Sequence, residues 1–475
     1  MMRPCESGVR RTVGVAVAAA ALLWLGTARG AEDGAKAAEA YWPAWRGPWA
    51  TGVSPQADPP ISWSETQNVK WKVTIPGHGS ATPIVWADRV LVQTAIPRDG
   101  GSAAATSAVS SEVTGDPGGL PPRERRPGGG GGMRSQTPTE PHRFVLLCLD
   151  RNTGKTLWER CLREEIPHEG HHQADGTFAS ASPITDGQWV IAFFGSRGLY
   201  GLDLEGNVKW SKDLGRLQIK NAFGEGASAA LAGNTVVVNW DHEGEDFIAA
   251  FDRETGKELW RQPREEDTSW STPLVVTGAG APQVVTSAPR RIRSYDLATG
   301  KLRWECGGMT QNVVPTPVAG SGLVYLLSGF RGSALLAIRT DASGDVTGTD
   351  AVVWRLGKNT PYVPSPLLVD DKLCFFAGNT AVFSCLDAKD GKPLIDAQRL
   401  EGLSGVYASP VAAAGRVYLT GRNGVVMVVR LGSPLEILAT NRLEERIDAS
   451  PALAGKELFL RGRSSLYCLA RRGSD

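Results

Sequence analysis

Two stretches concentrate groups that could ligate a metal or move a proton. His168, Glu169, His171 and His172 are followed by Asp175, and residues 240–246 contribute Asp241, His242, Glu243, Glu245 and Asp246. Imidazoles beside carboxylates are the usual material of a transition-metal site or a general acid–base pair. The spacing is not diagnostic, because neither stretch is an HExxH helix, and polar loops bonded to backbone or solvent have the same composition. A third set is cationic. Arg197 in FFGSRG, Arg331 in SGFRG and Arg422 in TGRNG each follow an apolar strand and a Gly near a turn. Guanidinium forks so placed could converge on one anion, although exposed hairpin arginines are the plainer alternative. Lys220, Asn221 and Glu225 fall at comparable strand ends and could line the same mouth.

The elements that must position these groups are repeats. AFDRETGKELW at 250–260 recurs as CLDRNTGKTLW at 148–158, GLDLEGNVKW at 201–210 and SYDLATGKLRW at 294–304, and as CLDAKDGKPL at 385–394 without its Trp. In each, a strand ends in Asp, a turn follows, and a second strand runs towards Trp. Gly256 provides the conformational freedom of a tight turn, and Asp252 can accept from turn amides. Capping of this kind explains Asp150, Asp203, Asp252, Asp296 and Asp387 together, so none of them is assigned to catalysis.

A second phrase pairs Ser or Thr and Pro with two apolar strands around a polar turn. Its markers are Pro83, Pro183, Ala230, Pro273, Pro317, Pro366, Pro410 and Pro451, with steps of 100, 47, 43, 44, 49, 44 and 41 residues. The first step is long because residues 97–142, with RRPGGGGG and few large apolar side chains, cannot bury enough surface to offset their ordering. They read as a disordered insertion. Each remaining unit of roughly 45 residues holds four strands, the period of a propeller blade. The predicted fold is all-β: an eight-bladed propeller over 69–470, in which VKWKVTI at 69–75 supplies the outer strand missing from the last blade and closes the ring. Broad faces and a central funnel follow from that shape.

Residues 1–30 have arginines, an apolar run and a small-residue ending, the pattern of a secretory signal peptide. Cleavage removes four Arg and one Glu and leaves 47 basic against 49 acidic residues. A near-neutral chain has no sequence-wide field for nucleic acid. The apolar run is too short for a comfortable membrane span, so the expectation is a periplasmic or extracellular monomer without a transmembrane anchor. Residues 31–68 form a spacer and an aromatic lead-in, YWPAWRGPWATG, expected to cover an apolar surface; residues 471–475 are a tail. Cys374 and Cys385 flank a GNTA turn almost symmetrically and could face each other as a disulfide, or serve as small core residues like Cys148 and Cys468. No CxxCH is present to attach a c-type haem.

The AxDxxTGKxxW pattern resembles the repeats of the pyrroloquinoline-quinone-like β-propellers, a group that includes quinoprotein dehydrogenases and the outer-membrane assembly scaffold. The resemblance implies that Trp71, Trp158, Trp210, Trp260, Trp304 and Trp354 pack between neighbouring blades. It also raises a quinone site with calcium, but the adjacent Cys pair of those dehydrogenases is absent here, as is any convincing match to their calcium-ligating and catalytic residues. The expectation is therefore a non-catalytic scaffold for a protein or cell-envelope ligand, with no cofactor and no metal. The alternative is an oxidoreductase using pyrroloquinoline quinone, or a metal-assisted enzyme, with its site at the propeller mouth.

Overall fold

The computed structural model describes residues 36–98, 135, 137–278 and 280–471. The signal-peptide assignment, most of the 97–142 insertion and the 472–475 end of the tail lie outside them. Eight antiparallel sheets follow one another around a ring. Blade 1 is Ile84–Trp86, Arg89–Pro97, His142–Asp150 and Thr156–Glu165. Blade 8 is Ala452–Ala454, Glu457–Arg461, Ser465–Leu469 and, as outermost strand, Val69–Thr74, which pairs antiparallel with Ser465–Leu469 and closes the ring. Blades 4 and 7 depart from the expected four strands. Gly344–Asp345 adds a parallel strand outside blade 4, and Val53–Ser54 adds one inside blade 7. Pro97 and His142, which the sequence places in the insertion, are instead paired residues at the ends of adjacent blade 1 strands.

The chain alternates direction within each blade, so the molecule has two distinct faces. The inter-blade connections and the loops between second and third strands form a loop face. The turns joining first to second and third to fourth strands form a hairpin face.

Both recurring phrases turn out to be ties between blades. Inside the ring, the amide of each phrase hydroxyl residue donates to the hydroxyl of the next blade. The series runs Thr82 to Ser182, Ser228, Thr272, Thr316, Ser365, Ser409 and Ser450 at 2.9–3.2 Å. It lapses only at the closing seam, where the Thr82 hydroxyl is buried without a partner. There the buried Arg461 reaches across instead and donates to the Gln93 carbonyl at 2.6 Å.

Outside the ring, the indole N–H groups of Trp71, Trp158, Trp210, Trp260 and Trp354 donate to carbonyls of Arg151, Leu204, Arg253, Leu297 and Ala388 in the next blade's outer hairpin. The turn Gly therefore has a second duty. Gly256 has φ +66°, and a Cβ there would lie 2.6 Å from the Trp210 ring. Trp304 differs. Blade 5 replaces its hairpin with a longer excursion, and Trp304 Nε1 turns to Gln283 Oε1 of its own blade at 3.1 Å. The five repeat aspartates cap their turns as expected, Asp252 Oδ1 accepting from the amides of Glu254 and Thr255. Cys374 and Cys385 lie directly opposite each other in blade 6 and are disulfide-bonded.

The aromatic lead-in covers apolar surface at one end of the channel and plugs it. Trp42 pairs with Val85, the Pro43 carbonyl accepts from Thr185, and the Thr51 carbonyl accepts from Leu368. Arg46 is fully enclosed and donates to the carbonyls of Pro366 at 2.7 Å and Pro410 at 3.1 Å. Burial without a carboxylate pulls its pKa down to about 9. The segment then passes between blades 7 and 8. Trp63 joins their shared core there, and the Asn441 side chain accepts from the Trp63 amide at 2.8 Å.

Candidate functional site

Both His-rich stretches stand on the loop face. The first belongs to the connection from blade 1 to blade 2, the second to the loop between Thr235–Trp240 and Phe247–Asp252 of blade 3. They sit on either side of residues 217–220, part of the next connection, and grip it. His168 Nε2 lies 2.7 Å from the Leu217 carbonyl, Glu169 accepts from the Ile219 amide at 2.9 Å, and His242 Nδ1 accepts from the Gln218 amide at 3.0 Å. Because His242 Nδ1 also accepts from the Gly244 amide, its Nε2 carries the proton and donates to the Glu245 carbonyl at 3.0 Å. Both ring nitrogens are thereby committed to backbone. Glu243 accepts from the Thr268 amide and hydroxyl, and Asp246 from the amides of Glu265 and Glu266.

Asp241 anchors a buried ion pair. Its side chain and that of Arg264 are 0% exposed, with Arg264 Nε to Asp241 Oδ1 at 2.5 Å. Ser269 and Asn239 donate to the other carboxylate oxygen, and Arg264 Nη1 donates to Thr286 and Tyr295 hydroxyls. A pair so fully hydrogen-bonded meets the condition under which buried charge is tolerated. Burial opposes the Arg264 charge, yet the Asp241 carboxylate outweighs it and raises the pKa above the ordinary arginine value. Neighbouring Glu266 is shifted too. Burial pushes its carboxyl up to about 7, against the lowering effect of Arg264.

The three signalled arginines do not meet on one anion. Arg197 is buried and paired with Glu225 at 2.6 Å, its guanidinium over the Phe144 ring. Arg422 pairs with Asp175 and Asp448, each at 2.6 Å. Arg331 is exposed, stacked over Phe330. Asn221 takes a left-handed conformation with φ 55° and, with Lys220, forms a short turn beside the His172 loop. His171 packs edge-on against Phe178, and burial holds its imidazole pKa below the usual value.

Asp175 holds residues 171–177 as a strap across the channel mouth. The His172 amide is bonded to the Phe223 carbonyl on one side, and Asp175 reaches Arg422, Arg446 and the Tyr407 hydroxyl on the other. The central funnel is thus covered by the strap at one end and by the lead-in at the other.

Where Glu169, Arg197 and Asp241 converge, the remaining cavity is about 30 Å³. That is room for about one water, whereas ligand pockets run to several hundred Å³. This void is smaller than a tricyclic quinone. Among the described residues no group of three His, Cys, Asp or Glu side chains could hold a metal ion. A much larger opening is on the hairpin face between blades 4 and 5, about 1490 Å³, bordered by Trp49, Val276, Leu302, Ala319 and Val353. No sequence signal marked it, since it exists because blade 5 lacks a regular outer hairpin and Trp49 arrives from the lead-in.

The family model described as outer membrane protein assembly factor BamB matches residues 137–245 and 244–475. The chain belongs to this family. The BamB-type assignment agrees with the pyrroloquinoline-quinone-like repeats. No curated protein matches the chain. Among solved structures, BamB from Moraxella catarrhalis is similar at 14% identity and TM-score 0.47, covering 69% of this chain and 94% of that one. The computationally designed protein Ika8 is similar at 14% identity and TM-score 0.48, with coverages of 71% and 94%. No helix among the described residues is long and apolar enough to cross a membrane.

Proposed function

We propose that this BamB-type propeller is an exported, non-catalytic scaffold that binds a protein segment of an envelope assembly through its hairpin face. The observation that carries this reading is the groove between blades 4 and 5, where Trp49 is 49% exposed and Leu302 and Val353 are similarly open. An exposed aromatic amid apolar side chains and scattered charges is the usual make-up of a protein contact. The enzyme alternative needs convergent polar groups with room for a substrate, and most polar groups of blades 2 and 3 are instead bonded to backbone or to one another around a void of about 30 Å³. Neither pyrroloquinoline quinone with calcium nor a catalytic metal is part of the proposal.

A photocrosslinking residue at position 302 in the groove, with position 437 on the outer rim as control, tests it in the native envelope. The expected result is a discrete protein adduct from position 302 alone that disappears in Trp49→Glu. Equal adducts from both positions, or an adduct indifferent to Trp49→Glu, would remove the groove from consideration. In parallel, adding pyrroloquinoline quinone and calcium to the purified protein should leave its melting temperature unchanged; a saturable rise would favour the enzyme.

A further inference from the structure

Beside the strap lies a second cavity of about 280 Å³ at the seam of blades 8 and 1. Three separate parts of the chain line it: His78 from the segment entering blade 1, His171 and Asp175 from the strap, and Arg446, Asp448 and Arg463 from blade 8 and the connection leading to it. Its chemistry is already displayed by its own side chains. Asp175 Oδ1 accepts from Arg422 at 2.6 Å and Arg446 at 3.3 Å, while Oδ2 accepts from the Tyr407 hydroxyl at 2.9 Å. Asp448 accepts from the Nε atoms of the same two arginines at 2.6 and 2.9 Å. These two carboxylates answer Arg422 and Arg446.

Two further guanidiniums have no such answer. Arg461 is buried and donates to main-chain carbonyls. Arg463 is exposed and makes no ion pair among the described residues; only its backbone amide is bonded, to the Arg446 carbonyl. Among the residues lining the cavity, three arginines, Arg446, Arg461 and Arg463, therefore face two aspartates. The His78 ring likewise has no hydrogen-bond partner among the described residues. Burial first, and then the charge of Arg463, holds its imidazole pKa below the ordinary value, which keeps one N–H available as a neutral donor.

We propose that this cavity binds a small solute carrying several carboxylates, with Arg463 as its guanidinium partner and His78 as a neutral N–H donor. The planar fork of an arginine matches a carboxylate in two parallel hydrogen bonds, as the resident aspartates illustrate. The volume is at the small end of ligand sites and suits an organic acid rather than a polymer. The site is on the opposite face from the groove and stands independently of the scaffold reading.

Calorimetric titration of the purified protein with citrate at low ionic strength, with inorganic phosphate as comparator, provides the test. Saturable one-site binding of citrate is expected, weakened at least about tenfold in Arg463→Glu and severalfold in His78→Ala. Arg463 is exposed, so its replacement should leave the melting temperature unchanged and keep a loss of binding interpretable. Absence of binding in the wild type, or full binding by Arg463→Glu, would overturn the site. Equal binding of phosphate would overturn the carboxylate assignment.

Discussion

The sector of blades 2 and 3 and the sector of blades 4 and 5 share one architecture but use their loops in opposite ways. In the first, carboxylates, imidazoles and Arg264 are buried together and leave a void of about 30 Å³. In the second, a missing hairpin leaves an opening of about 1490 Å³ bordered by exposed Trp49. The lesson is that a density of titratable groups is not itself a site. Polar side chains in closely spaced connections find each other and the backbone first, because an unpaired buried polar group costs more than a satisfied one returns.

The sharpest way to break this comparison is at Asp241. Asp241→Ala leaves the Arg264 guanidinium buried and unpaired, and should cost roughly 3–5 kcal/mol in denaturant unfolding. A loss under about 1 kcal/mol would mean that the pair is not the anchor of this sector. A smaller contrast concerns two glycines. Gly256→Ala meets both a left-handed backbone and the Trp210 ring 2.6 Å away, whereas Gly348, φ +72°, has nothing within 4 Å of an added Cβ. We expect about 2–4 kcal/mol for the first and about 1 kcal/mol for the second, measured the same way. Equal costs would show that the Trp contact adds nothing to the strained turn.

Glu266 gives the polar sector a pH signature. Its folded carboxyl, near 7, binds a proton more tightly than the unfolded one near 4.5, so its stabilising contribution is complete below about 4.5 and lost as pH rises through 7. The melting temperature of the wild type should therefore decline between pH 5 and 8, and Glu266→Gln should flatten part of that decline. Superimposable profiles would contradict the shift. The smallest stability effect belongs to the open sector. Trp49→Glu should change unfolding free energy by less than about 1 kcal/mol while abolishing groove adducts, and a large destabilisation would recast Trp49 as part of the plug.

Much of the fold was legible because its codes are local. The Asp and Gly of each outer hairpin act within a few residues, and the Ser/Thr-Pro phrase, with Ala230 in place of Pro in blade 3, marks the innermost strands. The Trp positions were legible too, although only the structure shows why Gly and Trp recur together: each Gly makes room for the preceding blade's indole. The sites were less legible. His168, Glu169, His242 and Glu243 were visible as polar residues, but most of their partners are backbone amides and carbonyls, which leave no mark in composition. Arg46, Arg264 and Arg461 carried no signal at all, lying in stretches whose pattern suits a loop or strand end.

The sequence alone determined the repeat and its period, since these depend on neighbours along the chain; it offered residues 69–75 as the closing strand and a Cys374–Cys385 pair as one of two readings, and the ring decided both. Only the tertiary structure decided which charge meets which. Asp175 and Arg422 are 247 residues apart, and Arg46 and Pro410 are 364 apart. Ring closure alone brings them within hydrogen-bonding distance. Charge pairing in such a ring is a property of its circumference, and no local pattern encodes that.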